Sequence, residues 1–268
     1  MPRGRTNRVM VERLALGEQG RRQPDRVATE EPMQIRLDDH LVTTTMRTPG
    51  HDYELATGFV FSEGLLAGAS VRQVRYCATG SAVDTSFNVV SVDTGGMAPE
   101  PAPRLGTTTS SCGSCGALSV EALIERLAPL GGPQPVDVEV AVTVAGKVAQ
   151  TQEVFALTGS VHAAAAYDAA TGEVLVVRED VGRHNAVDKV VGRLLLDGRL
   201  PATGWGLFVS GRVSFEIVQK AWAGGFGQVV AVSGPTSLAV ATAGRANISL
   251  AGFLRGHSLN VYVPPSPS

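Results

Sequence analysis

Cys112 and Cys115 stand three positions apart in the small, polar run Ser110-Ser111-Cys112-Gly113-Ser114-Cys115-Gly116. The pattern after them predicts a helix from about Leu118 to Leu130. Backbone N–H groups at a helix start favour negative charge, so a cysteine there holds its thiolate at a lowered pKa. A thiolate is the form that attacks sulfur, and this placement suits a sulfur relay. The glycines and serines keep the loop narrow enough to enter a partner's active site. Three other readings compete. A structural zinc site needs four ligands, usually from two such pairs, and the chain has no second pair. A thioredoxin-like centre places its Cys-x-x-Cys directly after a strand, whereas a Pro-rich stretch and a Thr/Ser run precede it here. A loop with incidental cysteines would leave two exposed thiols open to oxidation. The third cysteine, Cys77, ends a strand-like run and reads as a small buried hydrophobe.

The densest chemistry elsewhere is Arg178-Glu179-Asp180-Val181-Gly182-Arg183-His184-Asn185-Ala186-Val187-Asp188-Lys189. It follows an apolar strand, Val174 to Arg178, and runs into a helix from Ala186 to Leu196. A solvated loop with Asn185 capping that helix is the plain account. It does not explain why so many ionisable types crowd the carboxyl end of a strand, which is where open α/β sheets bind ligands. Arg183 and His184 suit a phosphate or a partner, with Asp180 or Asp188 orienting them. Ser210-Gly211-Arg212 and Ser233-Gly234-Pro235 each finish a strand and open a helix. Capping explains either one alone; together they suit an anionic ligand seated on turn amides. No P-loop and no Gly-x-Gly-x-x-Gly after a strand is present, so ATP hydrolysis and a standard dinucleotide site lack support.

The elements that must position these residues form two blocks. In the first, Pro32 to Met46 is a strand pair turning at Asp38-Asp39. Asp52 caps a helix from about Tyr53 to Leu66. Strands Val71 to Cys77 and Phe87 to Val92 follow, then a Pro- and Gly-rich stretch from Gly95 to Gly106. In the second, helices over 186–196, 213–223 and 237–244 alternate with strands over 174–178, 206–209 and 228–232. Strands over 248–254 and 259–263 close the chain. That rhythm predicts an α/β fold built on a mixed or largely parallel sheet with flanking helices. Val136 to Phe155 fits either strand or helix, because valines alternate early while Val148, Gln152 and Phe155 keep helical spacing. The domain reading is a basic, flexible terminus over 1–30, a smaller α+β domain over 31–130, and an α/β domain over 131–268.

Composition sets limits. Basic and acidic residues nearly balance at 23 and 25, and no long like-charge block crosses the body, which argues against general nucleic-acid binding. No apolar stretch approaches the roughly 18–20 residues that span a bilayer, and the N-terminus lacks the pattern of a secretory signal. The expectation is a cytoplasmic protein with reduced thiols and no disulfide framework.

The strings Cys112-Gly-x-Cys115-Gly, Thr158-Gly159-x-x-His162-Ala163-Ala164, Glu179 through Lys189, Ser210-Gly211-Arg212 and Phe253-x-Arg255 resemble the formate dehydrogenase accessory sulfurtransferases, the FdhD/NarQ family. The resemblance runs from about Glu31 to Val263. It implies a sulfurtransferase that takes persulfide sulfur from a cysteine desulfurase. It also implies binding of the bis-molybdopterin guanine dinucleotide cofactor and transfer of sulfur to its molybdenum or tungsten, before insertion into the formate dehydrogenase catalytic subunit. The persulfide then forms on Cys112. Guanine-nucleotide contacts then fall on Gly252, Phe253, Leu254, Arg255, Gly256 and His257, to which the reading of the strand ends adds Ser210, Arg212, Arg183 and His184 as candidate cofactor contacts. The family's C-terminal domain is similar to cytidine deaminases, which favours a helix over about Ala141 to Leu157, and its members tend to dimerise. No resident metal is implied. Phe253 suits stacking on a guanine and Arg255 suits a phosphate. Cys115 either attacks Cys112 to release sulfide or assists a direct transfer. A cofactor-binding chaperone without sulfur transfer and a thiol–disulfide oxidoreductase are the rival functions. Deamination is excluded: Ala164 stands where His-x-Glu needs its Glu, the cysteine pair comes before His162, and Ser111 replaces the Pro. His162 itself is open between packing and ligand contact.

Overall fold

The computed structural model describes residues 4–77, 81–101, 127–131 and 134–265. Cys112, Cys115 and most of the helix expected after them lie outside the described residues. The end of that expected helix, 127–130, is irregular and is held by hydrogen bonds from Trp222 to Ala128 and from Asn247 to Leu130.

The chain begins with strands β1 (Thr6–Arg13) and β2 (Arg21–Ala28), paired antiparallel. A frayed arm was the sequence expectation; cross-strand pairing gives it regular structure instead, although most of its residues stay exposed. Next come β3 (Glu31–Leu37) and β4 (His40–Arg47), joined through Asp38 and Asp39, both at positive φ as a tight hairpin turn requires. Met33, Ile35 and Leu37 alternate inward and are fully buried. Helix α1 (Asp52–Ser62) and strands β5 (Gln73–Tyr76) and β6 (Val89–Asp93) complete a four-stranded sheet of order β4-β3-β6-β5, on which α1 packs Leu55, Ala56, Phe59 and Val60. Asp52 is not the cap expected of it. His51 holds that position in the left-handed region, while the Asp52 carboxylate forks onto the buried Arg47 guanidinium at 3.0 and 3.1 Å.

The second block is a six-stranded sheet of order β12-β11-β10-β9-β7-β8. Its strands are β7 (His162–Asp168), β8 (Val174–Asp180), β9 (Trp205–Val209), β10 (Gln228–Ala231), β11 (Ser249–Arg255) and β12 (Ser258–Val263). Strands β9, β10 and β11 are parallel, while β7, β8 and β12 each join antiparallel, so the sheet is mixed, with a parallel centre and flanking helices as the sequence leads one to expect. The reason is that β7 and β8, like β11 and β12, are joined by short turns rather than by crossover helices. Helices α4 (Arg183–Leu196), α5 (Phe215–Gly224) and α6 (Ser237–Ala246) cover one face with the larger core. The other face is covered by α2 (Val138–Thr151), which is followed by the short α3 (Glu153–Thr158). The ambiguous valine run is therefore helical. Ala141, Val144 and Val148 form its buried stripe, and Asp137 caps it by accepting from the Val140 N–H at 2.9 Å. Burial of one face overrides the β propensity of valine.

The two blocks meet along α1 and α4. Gly58 and Gly192 face each other's helix so closely that a Cβ at either would lie 1.9 Å from a backbone oxygen, of Asp188 or Glu54 respectively. Only glycine permits that approach.

Candidate functional site

Antiparallel insertion of β7 has a chemical consequence. It brings His162, at the start of β7, to the same sheet edge as Asp180, Ser210 and Phe253, which follow or end β8, β9 and β11. The edge is woven together by backbone. Ala163 donates to the Ser210 Oγ at 2.9 Å, and the Ser210 N–H returns to the Ala163 carbonyl at 2.9 Å. Val213 bridges Pro235, and the Phe253 N–H donates to the Ser233 carbonyl at 3.3 Å. The two Ser-Gly turns do not open their helices directly, as the sequence suggested. Ser214 and Thr236 are the helix caps, three and two residues beyond the glycines.

Gly211 is the pivot of the near half. A Cβ there would meet the His162 Nδ1 at 3.2 Å and the Arg183 Cδ at 3.5 Å, so the missing side chain lets the imidazole and the guanidinium stem converge. Burial lowers the His162 pKa, the charges of Arg183 and Arg212 lower it further, and Asp180 opposes them. A neutral imidazole among guanidinium groups is the result. His184, buried in the first turn of α4, places its Nε2 3.0 Å from the Ser214 Oγ and 3.1 Å from the Glu216 carboxylate.

In the far half the Phe253 ring lies over Gly234, where a Cβ would stand 2.7 Å from the ring. Phe253 is 41 % exposed, and the Arg255 guanidinium sits 5.8 Å from its ring centroid, within cation–π range. Phe253 occupies the left-handed region at φ 54, a conformation rare for a bulky residue and common at ligand clamps. Arg255, Gly256 and His257 are exposed around the turn into β12. Gly252 is buried under Ser233 and Pro235, and Leu254 belongs to the core beside α2. Of the span 252–257, the exposed atoms therefore come from Phe253 and the turn.

Several charged residues of the signature string have structural duties instead. Asp180, fully buried, pairs with Lys189 at 2.7 Å and accepts from Thr48 N, Gly182 N and Asn185 Nδ2. Lys189 also donates to the Thr48 carbonyl at 3.0 Å, and Asn185 to the Met46 carbonyl at 2.8 Å. Asn185 is thus no cap. Gly182 precedes the helix, and the Asn185 amide clasps the end of β4. Asp188 pairs with Lys220 at 2.8 Å between α4 and α5. Glu179 accepts the first N–H groups of α3, from Val154 and Phe155. Arg178 forks onto Glu54 of α1. Sequence reasoning found the edge and its basic groups; it missed the Glu216 and Ser214 partners of His184 and the seat of Phe253 on Gly234, which no spacing announces.

Among the described residues no cluster of His, Cys, Asp and Glu could hold a metal ion, and no helix is long and apolar enough to cross a membrane. Cys77 is buried, its sulfur 2.9 Å from the Thr85 hydroxyl. Two cavities of about 650 and 630 Å³ lie away from the edge, one beside β8 and one between α1 and α5.

The FdhD/NarQ family model matches residues 28–267. A protein of Corynebacterium efficiens named sulfur carrier protein FdhD is 45 % identical over 250 residues, covering 89 % of each chain. The protein of the same name from Mycolicibacterium paratuberculosis is 44 % identical over 264 residues, covering 96 % of each chain. The crystal structure of a putative formate dehydrogenase accessory protein from Desulfotalea psychrophila superposes with a TM-score of 0.74 over 98 % of both chains, at 23 % identity.

Proposed function

Since the chain belongs to the FdhD/NarQ family, we propose that it is a sulfur carrier that serves the maturation of a formate dehydrogenase. Cys112 is the carrier. Its thiolate attacks the outer sulfur of a cysteine desulfurase persulfide; the S–S bond breaks, the desulfurase cysteine leaves as thiolate, and Cys112 keeps the sulfur. The recipient is the molybdenum or tungsten of a bis-molybdopterin guanine dinucleotide, bound as cargo along the sheet edge. Release proceeds by one of two routes. Cys115 attacks the Cys112 sulfur, expels hydrosulfide and leaves an internal disulfide for an external dithiol to reduce, or Cys112 transfers directly with Cys115 assisting.

The observation that supports this reading is the placement along one sheet edge of two groups, His162 with Arg183 and Arg212, and the half-exposed Phe253 ring with Arg255. That donor set fits a nucleotide. Phe253 offers a face to guanine, Arg255 and Arg212 offer charge to phosphates, and the neutral His162 offers a ring nitrogen. His184, held by Glu216 and Ser214, orients the start of α4 beneath them.

Intact-mass analysis after incubation with a cysteine desulfurase and cysteine tests the proposal. One added sulfur atom mapped to Cys112, lost in Cys112→Ala together with formate dehydrogenase activation, is the expected outcome. A Cys112→Ala protein that still matures the enzyme would leave a cofactor chaperone in its place.

A further inference from the structure

Strand β8 ends one side of the six-stranded sheet and, among the described residues, pairs with β7 alone. Its run Val174-Leu175-Val176-Val177 is continuously aliphatic, the pattern of a strand covered on both faces inside a sheet. Both faces are indeed covered: Val174 and Val177 pack toward α2, Leu175 and Val176 toward the core under α4. What β8 lacks is a neighbour on its outer side. There a groove of about 650 Å³ runs along residues 174–178, walled by α2 and the end of α4. Ala163 directs its N–H and carbonyl to Ser210, so Ala164 and Ala166 serve β8, and their partners Arg178 and Val176 point their backbone groups inward. Val177 therefore turns its N–H and carbonyl out into the groove, where the carbonyl accepts from the Arg178 guanidinium at 2.8 Å. The walls are basic, with Lys147, Arg178, Arg193 and Arg199 against Asp197. Glu54 and Asp197 occupy Arg178 and Arg193, whereas Lys147 of α2 and Arg199 beyond α4 meet no carboxylate among the described residues. Cations that merely blunt an open strand would explain the charge alone. They do not explain the aliphatic floor, which offers an incoming chain apolar contact beside a backbone ladder.

We propose that this groove takes an extended acidic segment of a partner protein, added to the sheet as a strand beside β8. The Val177 N–H and carbonyl pair with the segment's backbone. Residues 174–178 span about 13 Å, room for about four residues of the added strand. Successive side chains of a strand alternate between its faces, so carboxylates an odd number of positions apart reach Lys147 on the α2 side and Arg199 on the α4 side. Nucleic acid fits less well, since among the described residues no aromatic side chain lines the groove for a base to stack on. Three strands separate β8 from β11, which carries Phe253, and the site does not depend on the sulfur-carrier reading.

Fluorescence anisotropy on the full chain tests it with a labelled peptide, Glu-Val-Thr-Glu-Val-Thr, whose two glutamates fall on opposite faces of a strand. Saturable binding is expected. Lys147→Glu and Arg199→Glu, both at exposed positions, should each weaken it about tenfold or more. The same peptide N-methylated at its central residues cannot complete the ladder and should also lose about tenfold or more, as should a peptide with glutamine for both glutamates. Arg245→Glu, equally exposed but on α6, should change nothing. A peptide that does not saturate the protein, binding indifferent to Lys147→Glu and Arg199→Glu, or an N-methylated peptide that binds as tightly overturns the proposal. So does a short single-stranded oligothymidylate that binds more tightly than the peptide and responds to the same variants, which would make the groove a nucleic-acid site.

Discussion

Lys189→Met is the sharpest test of how the signature string works. Lys189 and Asp180 are 1 % and 0 % exposed, and the ammonium lies 2.7 Å from the carboxylate. Methionine preserves most of the side-chain volume but strands the anion and frees the Thr48 and Glu179 carbonyls that Lys189 serves. Breaking a buried pair from one side costs about 3–5 kcal/mol, a large fraction of the ~5–15 kcal/mol that holds a domain folded. Asp180→Asn strands the cation and should cost a similar amount. The double variant Asp180→Asn/Lys189→Met leaves no unpaired charge, so its loss should fall short of the sum of the single losses by about 2 kcal/mol or more. Urea unfolding followed by the fluorescence of Trp205 and Trp222 measures all three. A Lys189→Met loss below about 1 kcal/mol, or additivity within about 0.5 kcal/mol, would refute the clasp and return these residues to a ligand-binding role.

Three further outcomes follow from named contacts. Burial alone would raise the Glu54 pKa, but hydrogen bonds and charge from Arg178 and His51 bring it down to about 2. Its contribution is therefore complete above the usual carboxylate value and is lost as pH falls toward 2. Between pH 7 and pH 3 wild type should lose about 2 kcal/mol more stability than Arg178→Met, measured by urea midpoints. Gly58→Ala drives a methyl into the Asp188 carbonyl and should cost about 3 kcal/mol or more, whereas Gly146→Ala on α2, with open space at its Cβ, should be neutral or stabilising by up to about 1 kcal/mol in the same assay. Phe253→Ala should weaken binding of a guanine nucleotide by about 1–3 kcal/mol in calorimetry while leaving persulfide loading of Cys112 intact; equal affinity would remove the ring from the site.

Legibility differed by element. The helices over 183–196, 215–224 and 237–246 and the strands between them were visible because each carries an apolar stripe at its own period and is bounded by small or turn-forming residues. The hairpin over 31–47 was equally plain, from alternation about Asp38-Asp39. The sheet edge as a gathering place for Arg183, Ser210, Arg212 and Phe253 was legible too, since carboxyl ends of parallel strands share one side. Asp52 and Asn185 were misassigned as caps, although each side chain is a good capper in isolation. Their real partners, Arg47 and the Met46 carbonyl, belong to strand β4, which only the folded chain brings alongside.

What this sequence determined by itself is therefore local and periodic: which segments are helices or strands, which residues are apolar, and which short strings match a family. Tertiary structure decided the rest. It turned β7 against its neighbour and so set His162 on the same sheet edge as Ser210 and Phe253. It made a helix of a valine-rich run because one face had a sheet to cover. It buried Asp180 with Lys189, and it set Phe253 on the bare face of Gly234. Each of these depends on a group distant in the chain, and pairing, burial and close approach are properties of that second group as much as of the first.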